Sequence, residues 1–532
     1  MRLRFFLISS FFFLAFSVLE YQLYNLQILK RDFYFNKAEA LSALQEELLL
    51  SRGQILFTDR HGNKIPAAHN KSYPVIYAVP AEIKNPVATA AKLSPALSLS
   101  EKELENNLDN PKSQFRALVE KASPETINAI STLKLAGIHV YSKDYRYYPF
   151  EKLAAHLLGF VGFSEKDSKP TGLYGLEKLY NKSLSENQTL RLTIDRNIQN
   201  QAESILKRLI DDNNATGGTV IVMEPSSGKI LALANLPDFN PNSYSESELS
   251  SFINPAIQSI YEPGSVFKPI TMAAGIDSGA ITPETTFFDS GQVVLNGKKI
   301  TNWNKKVYGR VTMTNVIEHS INTGSIFAAQ KTGREKFIKY VKKFGFSEPT
   351  KIDLPDEVAG SIKNLERKNS AEVDFATASF GQGTAVTPMQ MINALNVFAN
   401  SGTLLRPYLN ASSAPYEIRR VVSEETAKKV TAMMESAVNK AGVASLPQYR
   451  LAGKTGTAQI ADHKHGGYLE EFVHTFIGFG PVSNPRFIAL IKIDRPSVEL
   501  AGQTVVPAFR ELARFVLSYY NVPPDKVVAS NR

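Results

Sequence analysis

The N-terminal residues form the most apolar run of the chain. Met1-Arg-Leu-Arg4 is followed by Phe5–Leu19, an apolar run broken only by serines, and then by further leucines and tyrosines. A helix over Phe5–Leu19 would span only about 22 Å at 1.5 Å per residue. Crossing a hydrocarbon core of roughly 30 Å therefore requires the helix to continue to about Leu26. The arginines favour a cytoplasmic N-terminus, and the pattern predicts an uncleaved signal anchor over residues 1–28. The alternative is a cleavable signal peptide, although no A-x-A-like site follows the run.

Beyond this run, the pattern predicts a first module built of short helices and strands. Residues 36–50 have the helical spacing of Ala, Leu and Glu, and Ser98-x-x-Glu101 has the form of a capping box. Ser123-Pro124-Glu125 has the form of a helix start. A polar stretch over 181–188 closes the module. We therefore assign residues 29–189 to a separate α+β domain.

A larger second module, residues 190–522, has the pattern of an antiparallel sheet surrounded by helices. Two β-rich segments, 219–234 and 474–493, each contain a turn rich in Pro and Ser and are predicted to be hairpins. Amphipathic spacing predicts helices over 195–211 and 509–519. The expected fold class is α/β in the loose sense, that is α+β, with an antiparallel sheet flanked by helices. Residues 523–532 are left as a C-terminal tail.

The composition excludes several kinds of chemistry. The 532 residues are 43% apolar and 21% charged, which is enough for two or three globular domains. Sixty Lys and Arg against 51 Asp and Glu give a formal net charge of +9, but no basic run indicates nucleic-acid binding. The chain has no cysteine, which excludes disulfides, cysteine-ligated metals and a thiol nucleophile. Covalent catalysis would need another nucleophile.

The first candidate motif is Tyr261-Glu-Pro263-Gly264-Ser265-Val-Phe-Lys268-Pro269. Residues three apart share one face of a helix, so Ser265 and Lys268 are predicted to be neighbours. Pro269 is tolerated only in the first turn of a helix, which places Ser265 at the N-terminal end. A desolvated lysine beside a serine can have its pKa lowered enough to accept the serine proton. The S-x-x-K spacing alone is common by chance.

Two further short motifs follow in order. Glu318-His-Ser320-Ile-Asn322 places a hydroxyl and an amide two residues apart. Arg450-Leu-Ala-Gly453-Lys454-Thr455-Gly456-Thr457 places a lysine and hydroxyls beside a glycine that lets a ligand approach the backbone. A second K-T-G, Lys331-Thr332-Gly333, lacks strand-like flanks and is predicted to be an exposed helix terminus. The ordered set is far less common by chance than any single motif.

With S-x-x-K, S-x-N and K-T-G in this order, the sequence resembles the class B penicillin-binding proteins, the peptidoglycan D,D-transpeptidases of division or elongation type. The resemblance covers nearly the whole chain, including Arg52-Gly53, Asp59-Arg60 and 380–388. Glu151 stands where a glycine is usual, and Asn181 where an aspartate is usual. The resemblance implies a penicillin-binding/β-lactamase-like transpeptidase fold on an elongated, non-catalytic, dimerisation-type N-terminal pedestal with one transmembrane helix.

The resemblance also implies a role for each motif. Ser265 would attack the penultimate D-Ala carbonyl of a stem peptide while Lys268 takes its proton, giving an acyl-enzyme, and β-lactams would inhibit the enzyme by acylating the same serine. Ser320 would relay a proton to the leaving D-Ala, and Asn322 would hold the substrate backbone. The substrate-binding residues would be Lys454, Thr455, Gly456 and Thr457. The backbone N–H groups of Ser265 and Thr457 would form the oxyanion hole.

The implied chemistry needs no metal and no cofactor. The expected partners are peptidoglycan stem peptides, a membrane glycosyltransferase, and proteins of the division or elongation complex, while nucleic acid is not expected. The implied location is the bacterial inner or plasma membrane, with a single pass and an extracytoplasmic catalytic domain. Two alternatives stay open: a penicillin-binding structural scaffold, and a β-lactamase-type serine hydrolase. The chain's Glu-x-x-Val-Asn, which begins at Glu435, is predicted to be ordinary helix and not a deacylating loop.

Three other conspicuous features have simpler interpretations. His156 lies in an apolar stretch and is predicted to be a satisfied core histidine. Trp303 is predicted to be a packing residue. His463-Lys-His465 lacks further ligands nearby in sequence and is predicted to be a solvated loop, not a metal site.

Overall fold

A computed structural model of the protein describes residues 2–29, 52–164, 167–462 and 465–526. The helix predicted over 36–50 lies outside these residues. The α-helices are α1 (Arg2–Tyr24), α2 (Pro86–Leu97), α3 (Glu101–Leu108), α4 (Pro124–Leu133), α5 (Ala155–Leu158), α6 (Gly175–Leu179), α7 (Asn181–Ser185), α8 (Arg196–Asn213), α9 (Pro255–Gln258), α10 (Lys268–Asp277), α11 (Met313–His319), α12 (Asn322–Thr332), α13 (Arg334–Lys343), α14 (Lys363–Glu366), α15 (Glu372–Ala378), α16 (Pro388–Ala399), α17 (Glu424–Ala441) and α18 (Val505–Tyr519). The strands are β1 (Ile55–Thr58), β2 (Ile65–Ala78), β3 (Arg116–Val119), β4 (Ile138–Tyr147), β5 (Val161–Ser164), β6 (Asp167–Gly172), β7 (Leu190–Asp195), β8 (Gly217–Met223), β9 (Ile230–Leu236), β10 (Thr286–Asp289), β11 (Gln292–Leu295), β12 (Lys298–Thr301), β13 (Gly309–Thr312), β14 (Thr403–Leu405), β15 (Glu417–Arg420), β16 (Ala452–Ala461), β17 (Tyr468–Gly480) and β18 (Phe487–Asp494).

The N-terminal apolar run is helical. Helix α1 is followed by a π-helical turn over Asn25–Leu29, so the helix forms over the residues where it was predicted. Among the residues described, none of the helices is both long enough and apolar enough to cross a membrane.

The chain divides into two compact units. The first comprises residues 1–53, 69–147 and 185–187, and the second comprises 54–68, 148–184 and 188–532. Strand β1 and the start of β2 therefore belong to the second unit, although they precede residue 190 in the sequence.

In the first unit, residues 69–78 of β2 pair antiparallel with β4 and with β3. Helices α2, α3 and α4 bury their apolar side chains with one face of this sheet, in a core that includes Leu93, Leu104 and Ile130. The predicted cap Ser123 is confirmed, because its side chain accepts a hydrogen bond from the Thr126 N–H. The predicted cap Ser98 is wrong.

The cap of helix α3 is Ser100 and not Ser98. The Ser100 side chain accepts a hydrogen bond from the Glu103 N–H at 3.2 Å. Ser98 instead ends helix α2 in the left-handed conformation, with φ 55°. Both serines are followed three residues later by a glutamate, in the first case by Glu101 and in the second by Glu103.

The second unit is built around a five-stranded sheet in the order β16-β17-β18-β8-β9, with every neighbouring pair antiparallel. The predicted hairpins are β8–β9 and β17–β18, and both are confirmed. Side chains alternate along β8: Val220 and Val222 face a core formed with α8 and α18, whereas Ile221 and Met223 face the core that contains α10. Helices thus cover both faces of the sheet, as the fold class predicted.

The predicted helices of this unit are also present. Helix α8 begins after Asp195, whose carboxylate accepts hydrogen bonds from the N–H groups of Asn197 and Ile198. Helix α18 begins at Val505, four residues before the predicted start. Strand β16 lies at one edge of the sheet and carries the third motif. A small β module, β10–β13, lies between α10 and α11 in the sequence.

Candidate active site

The first motif forms the entrance to helix α10. Ser265 lies in a 3-10 turn, Gly264–Phe267, and the helix begins immediately afterwards at Lys268. Pro269 lies in the first turn of α10, as predicted. Ser265 is half-buried, whereas the Lys268 side chain has no exposed surface.

The turn that carries Ser265 is packed backbone against backbone. A Cβ atom on Gly381 would lie 2.3 Å from the Gly264 carbonyl oxygen, and the Gly264 N–H donates to the Gly381 carbonyl at 3.0 Å. A Cβ on Gly456 of β16 would lie 2.8 Å from the carbonyl oxygen of Pro263. Only glycine allows approaches this close, so strand β16 reaches the serine turn directly.

The second motif occupies the corner between two helices. Ser320 ends α11 in the left-handed conformation, with φ 56° and ψ 44°, and Asn322 begins α12. Ile321, between them, is completely buried. The corner fixes the backbone of both polar residues.

Two lysine side chains from the other motifs meet at Ser320. The Lys268 Nζ donates to the Ser320 carbonyl at 2.6 Å, lies 3.2 Å from the Ser320 Oγ, and lies 2.8 Å from the Asn322 Oδ1. The Lys454 Nζ lies 3.1 Å from the same Oγ and 3.4 Å from the Thr455 Oγ1. The structure therefore brings the three sequence motifs into one cluster.

The burial of these two lysines disfavours their charged forms. Burial lowers the pKa of Lys268 well below its ordinary value, and the neighbouring Lys454 lowers it further. Burial also lowers the pKa of Lys454 to about 7. Within the described residues, neither lysine has a carboxylate partner within 4.0 Å. Both effects favour the neutral amine of Lys268.

The remaining K-T-G residues alternate along the edge strand. Lys454 and Gly456 are buried, whereas Thr455 is half-buried and Thr457 is exposed. The Thr457 Oγ1 accepts a long hydrogen bond, 3.4 Å, from the Ala501 N–H. Both threonines therefore lie on the more exposed side of β16.

A buried polar network that the sequence analysis missed supports the second motif. The Asn302 Oδ1 accepts a hydrogen bond from the Asn322 N–H at 3.1 Å, and the Asn302 Nδ2 donates to Asp289 at 2.9 Å. Thr323 donates to the other Asp289 oxygen at 2.6 Å. The Asn322 Nδ2 donates to the Thr301 carbonyl at 2.9 Å. Thr323 directly follows Asn322, but Asp289 and Asn302 belong to no motif and lie at least 18 positions before Ser320 in the sequence, so spacing alone could not have found them.

Comparison with known families decides the identity of the chain. Residues 218–514 match the penicillin binding protein transpeptidase domain, and residues 50–213 match the penicillin-binding protein dimerisation domain. The chain belongs to the class B penicillin-binding proteins. Stage V sporulation protein D of Bacillus subtilis is 32% identical over 528 residues, covering 89% of this chain and 79% of that protein. Peptidoglycan D,D-transpeptidase FtsI of Escherichia coli K12 is 27% identical over 566 residues, covering 99% of this chain and 94% of that protein.

A solved structure shares the fold of this penicillin-binding protein. Apo penicillin binding protein 3 (PBP3) of Mycobacterium tuberculosis superposes with a TM-score of 0.65 at 27% identity, covering 72% of this chain and 92% of that chain. The predicted transpeptidase fold and the predicted family are therefore confirmed.

The structure of this penicillin-binding protein also confirms predictions for three features outside the motifs. His156 is buried, its Nε2 lies 3.0 Å from the Ser251 carbonyl, and burial lowers its pKa to about 4, so it is the core histidine that was predicted. The second K-T-G ends helix α12, with Lys331 exposed, although Thr332 is buried. Glu435 lies within α17 and forms two 2.7 Å hydrogen bonds with Arg450, as expected of an ordinary helical residue.

The prediction for Trp303 is wrong. Its side chain is 56% exposed and does not belong to a core, while its Nε1–H donates to the His319 carbonyl at 3.3 Å. The residues described contain no cluster of three or more His, Cys, Asp or Glu that could hold a metal ion. Residues 463 and 464 lie outside that description.

The two residues that depart from the family pattern, Glu151 and Asn181, occupy local settings that suit the usual residues as well. Glu151 has φ 52°, the left-handed conformation that a glycine adopts without strain. The Asn181 Oδ1 accepts a hydrogen bond from the Gly172 N–H at 2.9 Å, which an aspartate oxygen could also accept. Each departure is therefore compatible with the same local backbone.

Proposed function

We propose that this chain is a peptidoglycan D,D-transpeptidase that cross-links stem peptides through an acyl-enzyme on Ser265. The observation that carries the proposal is the meeting of Lys268 and Lys454 at the Ser320 hydroxyl, with the Ser265 turn packed against the same edge strand. The transpeptidase family and the relatives named D,D-transpeptidases support the same reaction.

In the acylation step, the neutral amine of Lys268 accepts the proton of the Ser265 hydroxyl. The serine oxygen attacks the carbonyl of the penultimate D-Ala, and the negative oxygen is stabilised by the backbone N–H groups of Ser265 and Thr457. The proton then passes through the Ser320 hydroxyl to the leaving D-Ala nitrogen, so the peptide C–N bond breaks as the ester remains. The position of Ser320 Oγ, 3.2 Å from the Lys268 Nζ, suits this relay.

The edge strand is proposed to bind the donor peptide. Lys454, Thr455 and Thr457 would bind the terminal carboxylate, while Gly456 permits close approach and Asn322 orients the peptide. An edge strand can also pair with an extended peptide through its free backbone groups. A carboxylate beside Lys454 favours its charged form and so raises its pKa from about 7.

In the second step, the amine of a neighbouring stem peptide attacks the ester carbonyl, and the bond between that carbonyl carbon and the Ser265 oxygen breaks. The new amide bond is the cross-link, and the proton that the amine loses returns to the Ser265 oxygen. β-Lactams would acylate the same serine and leave an ester that the acceptor amine does not cleave. The engagement of Glu435 with Arg450 favours this transfer over hydrolysis by a β-lactamase-type base at that residue. The scaffold alternative differs in predicting no acyl-enzyme.

The test is intact-mass analysis after incubation with a penicillin. We expect one penicillin adduct per chain, mapped to Ser265, and no adduct on Ser265→Ala. Lys268→Ala should retain the fold by circular dichroism and lose acylation. A wild-type chain that never acquires the adduct would favour the scaffold alternative, and an adduct on Ser265→Ala would overturn the choice of nucleophile.

We further propose that residues 1–28 anchor the protein in the bacterial inner or plasma membrane. Residues 29–189 would form the pedestal, and residues 190–522 would form an extracytoplasmic transpeptidase domain working with a membrane glycosyltransferase and division or elongation proteins. The apolar run after Arg2 and Arg4 and the helicity of α1 support this arrangement. The full chain should resist carbonate extraction from membranes, and the Phe12→Arg/Leu14→Arg variant should not. Equal extraction of both proteins would count against the anchor.

A further inference from the structure

The β module that contains β10–β13 has an unusual charge distribution. Between residues 290 and 317 the sequence contains no Asp or Glu and five basic residues: Lys298, Lys299, Lys305, Lys306 and Arg310. All five side chains are exposed. Across the part of the chain that the structure describes, none of them forms an ion pair within 4.0 Å. The module is therefore a concentrated positive surface, and the one carboxylate within residues 286–312, Asp289, is buried.

The same module exposes large apolar side chains. Phe288, Trp303 and Val307 are 74%, 56% and 63% exposed. Single exposed apolar residues are ordinary on protein surfaces. Three on one small module, together with unpaired cations, are typical of a surface that contacts a partner.

The module directly adjoins the second motif. The Asn302 Oδ1 accepts the Asn322 N–H, and the Trp303 Nε1–H donates to the His319 carbonyl. The rings of Tyr308 and His319 are 5.1 Å apart. The second motif contacts the edge strand through the Ser320 Oγ, which lies near Lys454 of β16. It contacts the module through the Asn322 N–H, which donates to Asn302.

We propose that this module is the docking surface for the acidic stem peptide that supplies the acceptor amine. The inference rests on the proposed function, in which strand β16 holds the donor peptide and leaves the module available to a second peptide. Stem-peptide carboxylates would be attracted by the unpaired lysines, and their alkyl portions would contact Trp303 and Val307. Positive charge beside the acceptor amine also lowers its pKa, which favours the neutral, nucleophilic form.

The test compares two charge reversals in the full-length protein in detergent. Lys305→Glu/Lys306→Glu changes the module, whereas Lys336→Glu/Lys339→Glu makes the same change of net charge on exposed residues of helix α13. Each protein is assayed for penicillin acylation and for cross-linking of glycan strands made by an added polymerase. We expect normal acylation in the wild type and in both variants, and a loss of about tenfold in cross-linking only in the module variant. The wild-type advantage should shrink as salt is raised.

The outcomes separate this inference from the proposed function. Failure of the wild-type chain to react with penicillin would overturn the function itself. Normal acylation with unchanged cross-linking in the module variant would overturn the docking surface alone, as would equal losses in both variants. Weakened binding of the module variant to vesicles of anionic phospholipid, with unchanged cross-linking, would assign the surface to lipid and also overturn the inference. Arg310→Glu provides a second variant should the double variant fail to fold.

Discussion

The Ser320 hydroxyl oxygen lies 3.2 Å from one lysine nitrogen and 3.1 Å from another, and these two nitrogens have opposite requirements. In the mechanism proposed above, Lys268 must be neutral to accept a proton, and Lys454 must be charged to bind a carboxylate. Burial lowers the pKa of both residues, and the value for Lys454 is about 7. Small changes of pH near neutrality therefore change the charge of Lys454 in the unliganded protein.

The opposite charge requirements of the two lysines predict that the rate of acylation depends on pH. The second-order rate constant for acylation by a carboxylate-bearing penicillin should fall as pH rises through about 7, because free Lys454 loses its proton there. In Lys454→Arg the fall should disappear below pH ~9, since a guanidinium remains charged. Stopped-flow measurements from about pH 5.5 to 9.5 provide the profile. Identical profiles for the two proteins would contradict the assignment.

The polar network beneath Asn322 makes a second prediction at the residue scale. Asn302→Ala removes the acceptor of the Asn322 N–H and a donor to Asp289, leaving buried groups unsatisfied. We expect a loss of about 1–3 kcal/mol in the free energy of unfolding. We also expect slower acylation at temperatures where the variant is fully folded, because Asn322 and Ser320 lose their fixed positions.

The control for this variant is Asn304→Ala on the same loop. The Asn304 Nδ2 donates to the Tyr308 hydroxyl, and within the described residues Asn304 forms no hydrogen bond with the second motif. Its acylation rate should match that of the wild type. If the two alanine variants are equally slow after correction for folding, the network is structural and does not position the motif.

At the scale of elements, the hairpins and helices with strong periodicity could be predicted, because alternation and amphipathic spacing repeat over many residues. Caps could not be predicted with the same certainty. Ser98 and Ser100 are each followed three residues later by a glutamate, and the sequence pattern does not distinguish them. The end of helix α2 at Leu97 decides the matter, since Ser98 then takes the left-handed conformation. That choice depends on how α2 packs, which is a tertiary property.

Helix α8 carries a half-buried carboxylate whose charge depends on pH. Glu203 accepts hydrogen bonds from the Ala154 N–H at 2.7 Å and from the Gln199 Nε2 at 2.8 Å, and burial raises its pKa to about 7. Because the pKa of Glu203 in the folded protein lies above its ordinary value of 4.5, the protonated carboxyl increases the free energy of unfolding below pH 4.5. That contribution is lost as pH rises through about 7. Glu203→Gln keeps an acceptor oxygen without the charge.

The variant should therefore gain stability relative to the wild type as pH increases. We expect the free energy of unfolding of the variant, relative to that of the wild type, to be higher at pH ~8.5 than at pH ~5 by at most about 3 kcal/mol. Thermal or urea unfolding at both pH values provides the comparison. If the difference in free energy of unfolding between the two proteins does not change with pH, the pKa of Glu203 is not raised in the folded protein.

At the scale of the whole molecule, the ordered motifs predicted the family and the chemistry, but the grouping of chain segments into compact units could not be read from them. Strand β1 pairs in parallel with β7, with Ile55 opposite Leu190, and residues 54–68 join the second unit. Such pairing connects residues more than a hundred positions apart. Local patterns carry no information about it.

This arrangement predicts that a residue far from the motifs supports the catalytic unit. Phe57 is completely buried and belongs to the hydrophobic core that contains Val266 and Ile270. Phe57→Ala should lower the free energy of unfolding by about 3–5 kcal/mol and lower the temperature at which penicillin acylation is lost. Val87→Ala, at a residue that is 59% exposed, should change neither property measurably. A catalytic unit that keeps its thermal tolerance without the Phe57 ring would show that β1 is dispensable to it.

The glycine contacts around the nucleophile limit how this protein can evolve. Gly264, Gly381 and Gly456 bring three backbone segments together, and at Gly381 and Gly456 there is no room for a side chain, so a single-residue change at either position forces the Ser265 turn to shift. A lineage under antibiotic selection has little mutational freedom at these positions. Heritable changes in drug sensitivity should instead accumulate where side chains already project into solvent, beginning with the exposed residues that surround the second motif.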